Sequence, residues 1–485
     1  MKIIFKKHLI FFLVLVVCLV LRIYRLDVLT TFGHDQGIDF LTVRDMIQNR
    51  HLTLIGIKVS FAQFFQGPLY LYILLPFFLF MKMNPLSGAV ASIVMSMITI
   101  CLLYFTLVKL ENIKAGIIGS LIFAVSPQFI KYGNTPLYQH FVPLFVIVSV
   151  YFLFKSSSSS KIYLIILLGI FIGLSIEVHF LSFSLFPSAL IYLIRKKNDK
   201  LKTALSFLTG IIVGISPTII FESRHDFLNT HHFLQYVNSA KDSEFSLTNK
   251  FMPWLTGSAN FFGGENYFLG GFFICLVIFI LFNPKKRLNQ KNILIQQFTL
   301  LLLIIYFIFC LTLPNFSWWY PLPFWICSLM ITAIYFSKDL SLLKILLLLI
   351  ILIFNLRTSL INLKQNHGYY MPEGWTLKKI KETCKIINLD AVGEAENFNV
   401  ASLLDGDTRA YPLRYTLVTA DKNPGAVTDY NQNNVLYVVN SGDVNKVINS
   451  QTWELIEFSP YRLVKTWDMG EGIFLYRLDR SRKEI

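Results

Sequence analysis

The sequence predicts a polytopic α-helical membrane protein, with about 11–13 transmembrane helices and a small extracytoplasmic α/β domain at its C-terminus. Of its 485 residues, 54% are hydrophobic, and the mean hydropathy of +0.55 exceeds that of soluble globular proteins. Leu, Ile and Phe dominate the apolar runs, which lack the ten-residue alternation of an outer-membrane barrel, so helices are expected. The apolar pattern ends near residue 362, where a more polar segment begins.

The apolar runs occupy residues 9–24, 68–81, 89–110, 115–130, 141–154, 162–176, 179–194, 204–221, 268–282, 293–313, 318–336 and 342–355. Several are shorter than the ~20 residues of a straight span. A chain that begins on one side and ends on the other needs an odd number of crossings. We therefore expect that one run between residues 68 and 194 is re-entrant or merged with another, or that a span is missing from this set.

Positive charge fixes the predicted orientation. The net charge is +15, but residues 365–485 hold 14 Lys and Arg against 16 Asp and Glu, so the excess lies in the membrane part. This distribution argues against a nucleic-acid partner and follows the positive-inside rule. It places the N-terminus in the cytoplasm and the tail outside the cell membrane. The basic residues fall in three short segments: Lys2, Lys6 and Lys7; Arg195, Lys196, Lys197, Lys200 and Lys202; Lys285, Lys286, Arg287 and Lys291.

Two domains follow, a membrane bundle over residues 1–362 and an extracytoplasmic domain over residues 363–485. In the second, helical spacing predicts a helix over 374–388, and short apolar patterns predict strands over 435–439, 453–458 and 472–477. Among the predicted external segments, 25–66 and 222–266 are the long ones, so function is expected on the outer face. The first should contain a surface helix with Phe40, Val43 and Ile47 on one face and a solvated Asp39 on the other.

The first external segment carries the most informative motif, His34-Asp35-Gln36-Gly37, followed by Gly67-Pro68-Leu69-Tyr70 at the start of the next apolar run. These residues resemble the integral-membrane GT-C glycosyltransferases of the protein-mannosyltransferase and aminoarabinose-transferase type, classed as glycosyltransferase family 39. That family has an acidic residue, often an Asp-Glu pair, on its first external loop and a Pro-Pro-Leu-Tyr-like helix start. Here Gln36 replaces the second acid, and Gly67 replaces the first proline.

The resemblance extends to about residue 360 and implies a sugar donor carried on a polyprenyl phosphate. It also implies an acceptor hydroxyl on a glycan, lipid or protein. An inverting displacement needs one carboxylate to take the acceptor proton, and Asp35 is the predicted base. Cationic donors are needed for the lipid phosphate, and Lys131 is one candidate. The predicted substrate-binding residues are His34, Gln36, Arg44, Lys58, Tyr70, Asn134, Glu177, His179, Glu222, Arg224 and His225.

No step of this mechanism requires a metal, although a divalent ion is compatible with it. There is no glycine-rich phosphate loop, which disfavours a nucleotide-sugar donor. Three alternatives stay open: a transporter or flippase of lipid-linked glycans, a polymerase or ligase of lipid-diphosphate glycans, and a membrane scaffold. A transporter would be expected to show internal repeats and ionisable residues deep in the bundle, whereas the polar residues here cluster at the predicted outer ends.

Overall fold

The computed structural model describes residues 2–59, 63–159, 161–238, 246–282, 290–339, 341–404 and 406–481. Helices make up the chain as far as Asn362, and a small domain containing a four-stranded sheet follows. The predicted fold class is therefore confirmed. The predicted basic residues Lys285, Lys286 and Arg287 lie outside the described residues.

Within the described residues, eleven helices connect the two faces of the bundle, and the face that carries residues 363–481 is called the domain face below. These helices are α1 (Lys2–Ile23), α5 (Leu86–Leu110), α6 (Ile113–Val125), α8 (Val142–Ser157), α9 (Ile162–Val178), α10 (Leu185–Lys196), α11 (Lys200–Gly214), α15 (Tyr267–Phe282), α16 (Gln290–Thr312), α17 (Leu322–Lys338) and α18 (Leu342–Asn362). By length and composition, four of them (α5, α8 with the turn before it, α16 and α18) are sufficient for a crossing, and the bent pairs that include α6, α11 and α15 bring the number to seven.

Seven further helices of the bundle lie along the domain face: α2 (Leu26–Leu29), α3 (His34–Gln48), α4 (Leu69–Phe80), α7 (Pro127–Asn134), α12 (Ser216–Arg224), α13 (Leu228–Asn238) and α14 (Leu247–Phe262). Three of them are bent away from a crossing helix, by 71° between α6 and α7, 73° between α11 and α12, and 96° between α14 and α15. A proline in the first turn marks the first two bends. Gly264, with φ of 58°, lies at the third.

Helix α4 begins and ends at the domain face, as expected for a re-entrant run between residues 68 and 194. Its first turn lies beside the domain-face residue Tyr138, with ring centroids of Tyr70 and Tyr138 6.4 Å apart. The turn after its last residue also meets the domain face, because Tyr415 of the C-terminal domain donates a hydrogen bond to the Met83 carbonyl at 2.7 Å. The apolar run 68–81 therefore returns to the face where it began. Phe80, 90% exposed, projects from this helix.

The opposite face is formed by the short connections between crossing helices. There the Lys197 ammonium at the end of α10 donates to the Ser159 carbonyl between α8 and α9. Lys291 at the start of α16 likewise donates to the Lys109 carbonyl at the end of α5. Lys197 and Lys291, which belong to two of the predicted basic segments, thus lie away from the C-terminal domain.

The C-terminal domain contains α19 (Leu377–Asp390), β1 (Phe398–Ser402), α20 (Tyr411–Val418), β2 (Val435–Ser441), α21 (Asn445–Ile448), α22 (Trp453–Phe458), β3 (Tyr461–Asp468) and β4 (Ile473–Arg480). The strand order is β1-β2-β4-β3, with β1 and β2 parallel and the other pairs antiparallel. The predicted helix over 374–388 and the strands at 435–439 and 472–477 are confirmed. Short 3-10 helices also occur at Tyr138–Phe141, Phe180–Ser184, Gly393–Glu396 and Tyr430–Gln432.

One strand prediction in this domain is wrong. Residues 453–458 form helix α22, in which Leu455 and Phe458 are buried three residues apart, the spacing of one helical face. The strand that pairs with β4 lies instead at Tyr461–Asp468, where most side chains are exposed and the apolar signal is weak. A largely exposed edge strand gives little of the alternation on which a sequence prediction depends.

Candidate active site

Helix α3 is fixed at its N-terminus by the Gln36 side chain. The Gln36 Oε1 atom accepts the Gly33 N–H at 2.9 Å, and its Nε2 atom donates to the Pro136 carbonyl at 3.0 Å. The side chain is 2% exposed, so both of its polar ends are used inside the protein. Gln36, predicted to bind substrate, therefore acts as a helix cap and ties α3 to the segment before Tyr138.

Two carboxylates one helical turn apart occupy the start of α3. Asp35 is half-buried, and this burial raises the pKa of Asp35 while the neighbouring His34 lowers it. Asp39 is only 1% exposed, which contradicts the expectation that it is solvated. Its Oδ2 atom has no hydrogen-bond partner among the described residues. Burial, together with the charge of Asp35, raises the pKa of Asp39 well above its usual range.

Tyr70, in the first turn of α4, faces this pair. Its side chain is 2% exposed, and its hydroxyl group also lacks a partner among the described residues. Burial and the charges of Asp39 and Asp35 raise the pKa of Tyr70, so the phenol is near both carboxylates. Buried polar groups that lack partners are uncommon and mark places where a ligand or water is bound.

His179 borders the same region from the turn between α9 and α10. Its ring stacks on Tyr138 at 5.5 Å and lies 6.5 Å from Tyr320. The Nδ1 atom accepts the Leu181 N–H at 3.2 Å, and burial lowers the pKa of His179 to about 3. The imidazole is therefore neutral at pH 7, with its proton on Nε2 and available for donation. Tyr138 and Tyr320 were missed by the sequence analysis, since apolar runs adjoin both.

Glu177 lies close to His179 but faces the start of α12. Its Oε1 atom accepts the Thr218 N–H at 3.3 Å, and its Oε2 atom has no partner among the described residues. Gly67 packs directly on it: a Cβ atom at this position would lie 2.0 Å from the Glu177 Oε2 atom. The glycine that replaces a proline in the motif is thus required by the close approach of Glu177.

An apolar cavity of about 560 Å³ opens beside this site. Phe180, which stacks on His179 at 5.3 Å, forms one wall and thereby joins the cavity to the polar site. The remaining walls come from the loop before α4, from α13 and from the end of α16. They include Phe64, Phe65, Phe233 and Leu313.

Glu222, at the edge of this cavity, has a structural role. Its carboxylate accepts hydrogen bonds from the Asn229 N–H, the Thr230 N–H and the Thr230 hydroxyl, at 2.6–3.0 Å. It therefore caps the N-terminus of α13 and leaves little acceptor capacity for substrate. His225 stacks on Phe221 at 4.2 Å and bonds to its carbonyl through Nδ1.

The predicted cationic residues lie in three different places. Lys58 and Arg224 are exposed near the cavity, because Lys58 pairs in a β-bridge with the cavity residue Phe65 and Arg224 follows Glu222. Arg44 lies near Tyr415 of the C-terminal domain. Lys131 is paired with Glu265 at 2.8 Å and is therefore already neutralised.

Asn134 is fully buried between α7 and the segment before α3. Its carbonyl accepts the Thr30 hydroxyl at 2.9 Å, and its Nδ2 atom has no partner among the described residues. Three of the predicted site residues therefore lie in one region: Asp35, Tyr70 and His179. Tyr70 lies near Asp35 and Asp39, and Tyr138 lies between Tyr70 and His179. In the part of the chain that the structure describes, no three His, Cys, Asp or Glu side chains are grouped as metal ligands.

Three comparisons bear on this arrangement. The profile of the family described as dolichyl-phosphate-mannose-protein mannosyltransferase matches residues 66–221. No curated protein matches the sequence. The crystal structure of ArnT from Cupriavidus metallidurans bound to undecaprenyl phosphate is similar, with a TM-score of 0.63 and 11% identity over 97% of each chain.

Archaeal oligosaccharyltransferases share the fold as well. AglB from Archaeoglobus fulgidus, in complex with an inhibitory peptide and a dolichol-phosphate, has a TM-score of 0.54 and 11% identity over 99% of this chain and 75% of its own. The Archaeoglobus fulgidus oligosaccharyltransferase in complex with zinc and sulfate has a TM-score of 0.56 and 12% identity, over 96% of this chain and 72% of its own. These findings support a glycosyltransferase activity. The predicted resemblance to the integral-membrane protein-mannosyltransferase and aminoarabinose-transferase-like glycosyltransferases is confirmed at the level of the fold, since the chain shares the GT-C fold and the family profile matches residues 66–221.

Proposed function

We propose that this protein is an inverting glycosyltransferase that moves a sugar from a polyprenyl-phosphate donor to an acceptor hydroxyl on the outer face of the cell membrane. The observation that carries the proposal is the half-buried Asp35 carboxylate, held on the domain face beside Asp39 and Tyr70. The binding of undecaprenyl phosphate and dolichol-phosphate by two proteins of similar fold supports the donor class.

In the proposed reaction, the Asp35 carboxylate accepts the proton of the acceptor hydroxyl as the acceptor oxygen bonds to the anomeric carbon. The bond from that carbon to the phosphate oxygen breaks, and the lipid phosphate leaves with the electron pair. Attack from the face opposite the phosphate inverts the anomeric centre. Because burial raises the pKa of Asp35, its carboxylate is a stronger base than a solvated one.

The apolar cavity supports the lipid part of the donor. A cavity of about 560 Å³ lined by phenylalanines suits the first isoprene units of a polyprenyl chain. Lys58, Arg224 and His225 are the proposed contacts of the lipid phosphate, because they follow or adjoin cavity residues and carry N–H donors. Arg44 remains a proposed contact on α3, nearer to the C-terminal domain.

The sugar is proposed to lie between Asp35 and His179. Neutral hydrogen-bond donors and aromatic faces suit a sugar ring, and Tyr70, Tyr138 and the His179 Nε2 atom supply them. Asp39 adds one further polar atom in this region, its Oδ2, which has no hydrogen-bond partner among the described residues. Glu177 lies two residues before His179, and its unpartnered Oε2 atom is the proposed link to this wall. Asn134 remains a proposed sugar contact through its Nδ2 atom. A divalent metal is not required for any of these contacts.

The orientation is part of the proposal. Short basic connections lie on the face opposite the C-terminal domain, so that face is proposed to be cytoplasmic together with the N-terminus. The site and residues 363–485 are then extracytoplasmic, and residues 1–362 form the membrane unit. The acceptor is a hydroxyl of a glycan, lipid or protein.

The test is sugar transfer from synthetic polyprenyl-phosphate sugars by the purified protein, with Asp35→Asn as the variant. Removal of a general base should lower the transfer rate about 10²–10⁴-fold. Asp45→Asn is the matched control, because Asp45 lies on the same helix and is exposed. Equal turnover by the wild type and Asp35→Asn would remove Asp35 from its role. Lipid movement across vesicles with no transfer from any donor would favour a transporter.

A further inference from the structure

A buried carboxylate of the C-terminal domain contacts the residue next to the proposed base. The Asp407 Oδ1 atom lies 2.8 Å from the His34 Nδ1 atom, and the Asp407 side chain is 2% exposed. The Oδ2 atom of Asp407 accepts the Tyr411 N–H at 2.9 Å, in the first turn of α20. One carboxylate therefore joins the start of α3, which carries Asp35, to the start of α20.

The loop that presents Asp407 is held on several sides. The Asp407 carbonyl accepts the Ala410 N–H at 2.9 Å, and the Thr408 hydroxyl donates to buried Glu454 at 2.8 Å. The guanidinium of Arg414, which is 5% exposed, donates to the Arg409 carbonyl. A side chain locked in this way holds its partner in one geometry, which is what a supporting residue of a site must do.

The packing of α3 on α20 leaves little freedom around this contact. The His34 ring meets Tyr411 edge-on, with ring centroids 5.1 Å apart. At Gly37 the helices approach so closely that a Cβ atom would lie 2.6 Å from the Tyr411 backbone. The His34–Asp407 contact therefore belongs to a continuous interface between the membrane bundle and the C-terminal domain.

Most of the charges around His34 raise the pKa of its imidazole. Asp407 and Asp35 favour the imidazolium, whereas burial and Arg409 oppose it; the hydrogen bond to Asp407 is the largest effect, and the pKa of His34 is raised. A more protonated His34 in turn favours the ionised form of Asp35, which is the form that a base needs, whereas the charge of Asp407 opposes that form by a smaller effect.

We propose that Asp407 is a positioning residue for the transfer reaction: by holding His34 it fixes the Asp35 carboxylate, so the C-terminal domain completes the catalytic site. The inference rests on the proposed function and extends it, because it gives residues 363–485 a direct part in catalysis. Asp407 itself touches neither the acceptor nor the donor.

Transfer kinetics of full-length Asp407→Asn test this role. The expected result is a fall in kcat of about tenfold to hundredfold with little change in KM, since substrate contacts persist while the base is misplaced. His34→Ala removes the same contact by changing the other partner, which is half-exposed. This variant replaces Asp407→Asn in the test if Asp407→Asn fails to fold. The double variant should be no slower than His34→Ala alone, because Asp407 acts through His34. Asp443→Asn, an exposed acid of the same domain, is the matched control.

A second readout does not depend on transfer. Carbethoxylation of His34 by diethylpyrocarbonate, followed by peptide mass spectrometry, reports the neutral imidazole as a function of pH. In Asp407→Asn the midpoint should move to lower pH. An unshifted midpoint, or multiplicative effects in the double variant, would overturn the proposal. So would a kcat equal to that of the wild type. Absence of transfer by the wild type from every donor would overturn the proposed function, even with a shifted midpoint.

Discussion

Replacing Gly37 by alanine should separate the C-terminal domain from helix α3. The new Cβ atom would lie 2.6 Å from the Tyr411 carbonyl carbon and Cβ, and 2.9 Å from the Pro412 nitrogen. Carbon atoms in ordinary contact are about 3.5–4.0 Å apart, so α3 and α20 must move apart by roughly 1 Å. Tyr411 and Pro412 meet the new atom mainly through their backbone, which cannot rotate out of the way.

Two opposing effects set the change in stability. Overpacking of this kind costs about 1–3 kcal/mol, whereas alanine in a helix interior is favoured over glycine by about 1 kcal/mol. The net expectation is a loss of about 0–2 kcal/mol. The effect on transfer should be larger, because a shift of about 1 Å lengthens the 2.8 Å His34–Asp407 contact beyond hydrogen-bond range and can lower the rate about 10²-fold.

The assay is thermal unfolding in detergent together with the transfer rate of full-length protein. Gly271→Ala is the matched control, because the nearest atom to its Cβ, Leu255 Cδ1, lies at an ordinary 3.5 Å. That variant should keep the wild-type rate and unfold at an equal or slightly higher temperature. A Gly37→Ala protein with wild-type transfer would refute the argument that this interface positions the site.

Three further outcomes are expected. Gly67→Ala should lower both the unfolding temperature and the transfer rate, because the new Cβ would lie 2.0 Å from the Glu177 Oε2 atom; calorimetry and the transfer assay measure this. Transfer should fall as the pH drops through the raised pKa of Asp35, since the base must be ionised. The same raised pKa means that stability falls as the pH rises from the carboxyl pKa of the unfolded chain to that of folded Asp35, and Asp35→Asn should lose this slope in unfolding measured against pH. Glu222→Gln should weaken the N-terminus of α13 by about 1 kcal/mol, because an amide cannot accept all the bonds that the carboxylate accepts from Asn229 and Thr230; protease sensitivity of this segment should rise.

The fold class was predictable because crossing helices leave a local signal of length and apolarity. That signal did not distinguish α4 from a crossing helix, since its composition is as apolar as theirs, and its course depends on contacts of Tyr70 and Met83 with distant parts of the chain. The short helix α22 was mistaken for a strand because six residues carry too little periodicity.

The site was predicted in part. Asp35, Tyr70 and His179 were identified, and the structure groups them through Asp39 and Tyr138, although their roles remain proposals. Asp39 was expected to be solvated because it shares a helix with other polar residues, but its burial is created by segments that arrive from elsewhere in the sequence. Glu222 looked free for substrate, and only the structure shows that α13 folds back onto it.

The course of α4 along the domain face has a kinetic consequence. Its exposed Phe80 and Leu79 side chains belong to the apolar boundary of the bilayer, and its first turn carries Tyr70 beside the carboxylates. If the proposed function holds, the reacting centre is thereby held near the hydrocarbon layer, where the proposed lipid-linked donor arrives by lateral diffusion in two dimensions. Turnover should therefore scale with the mole fraction of donor among the lipids, and adding inert lipid at constant total donor should slow the reaction by surface dilution.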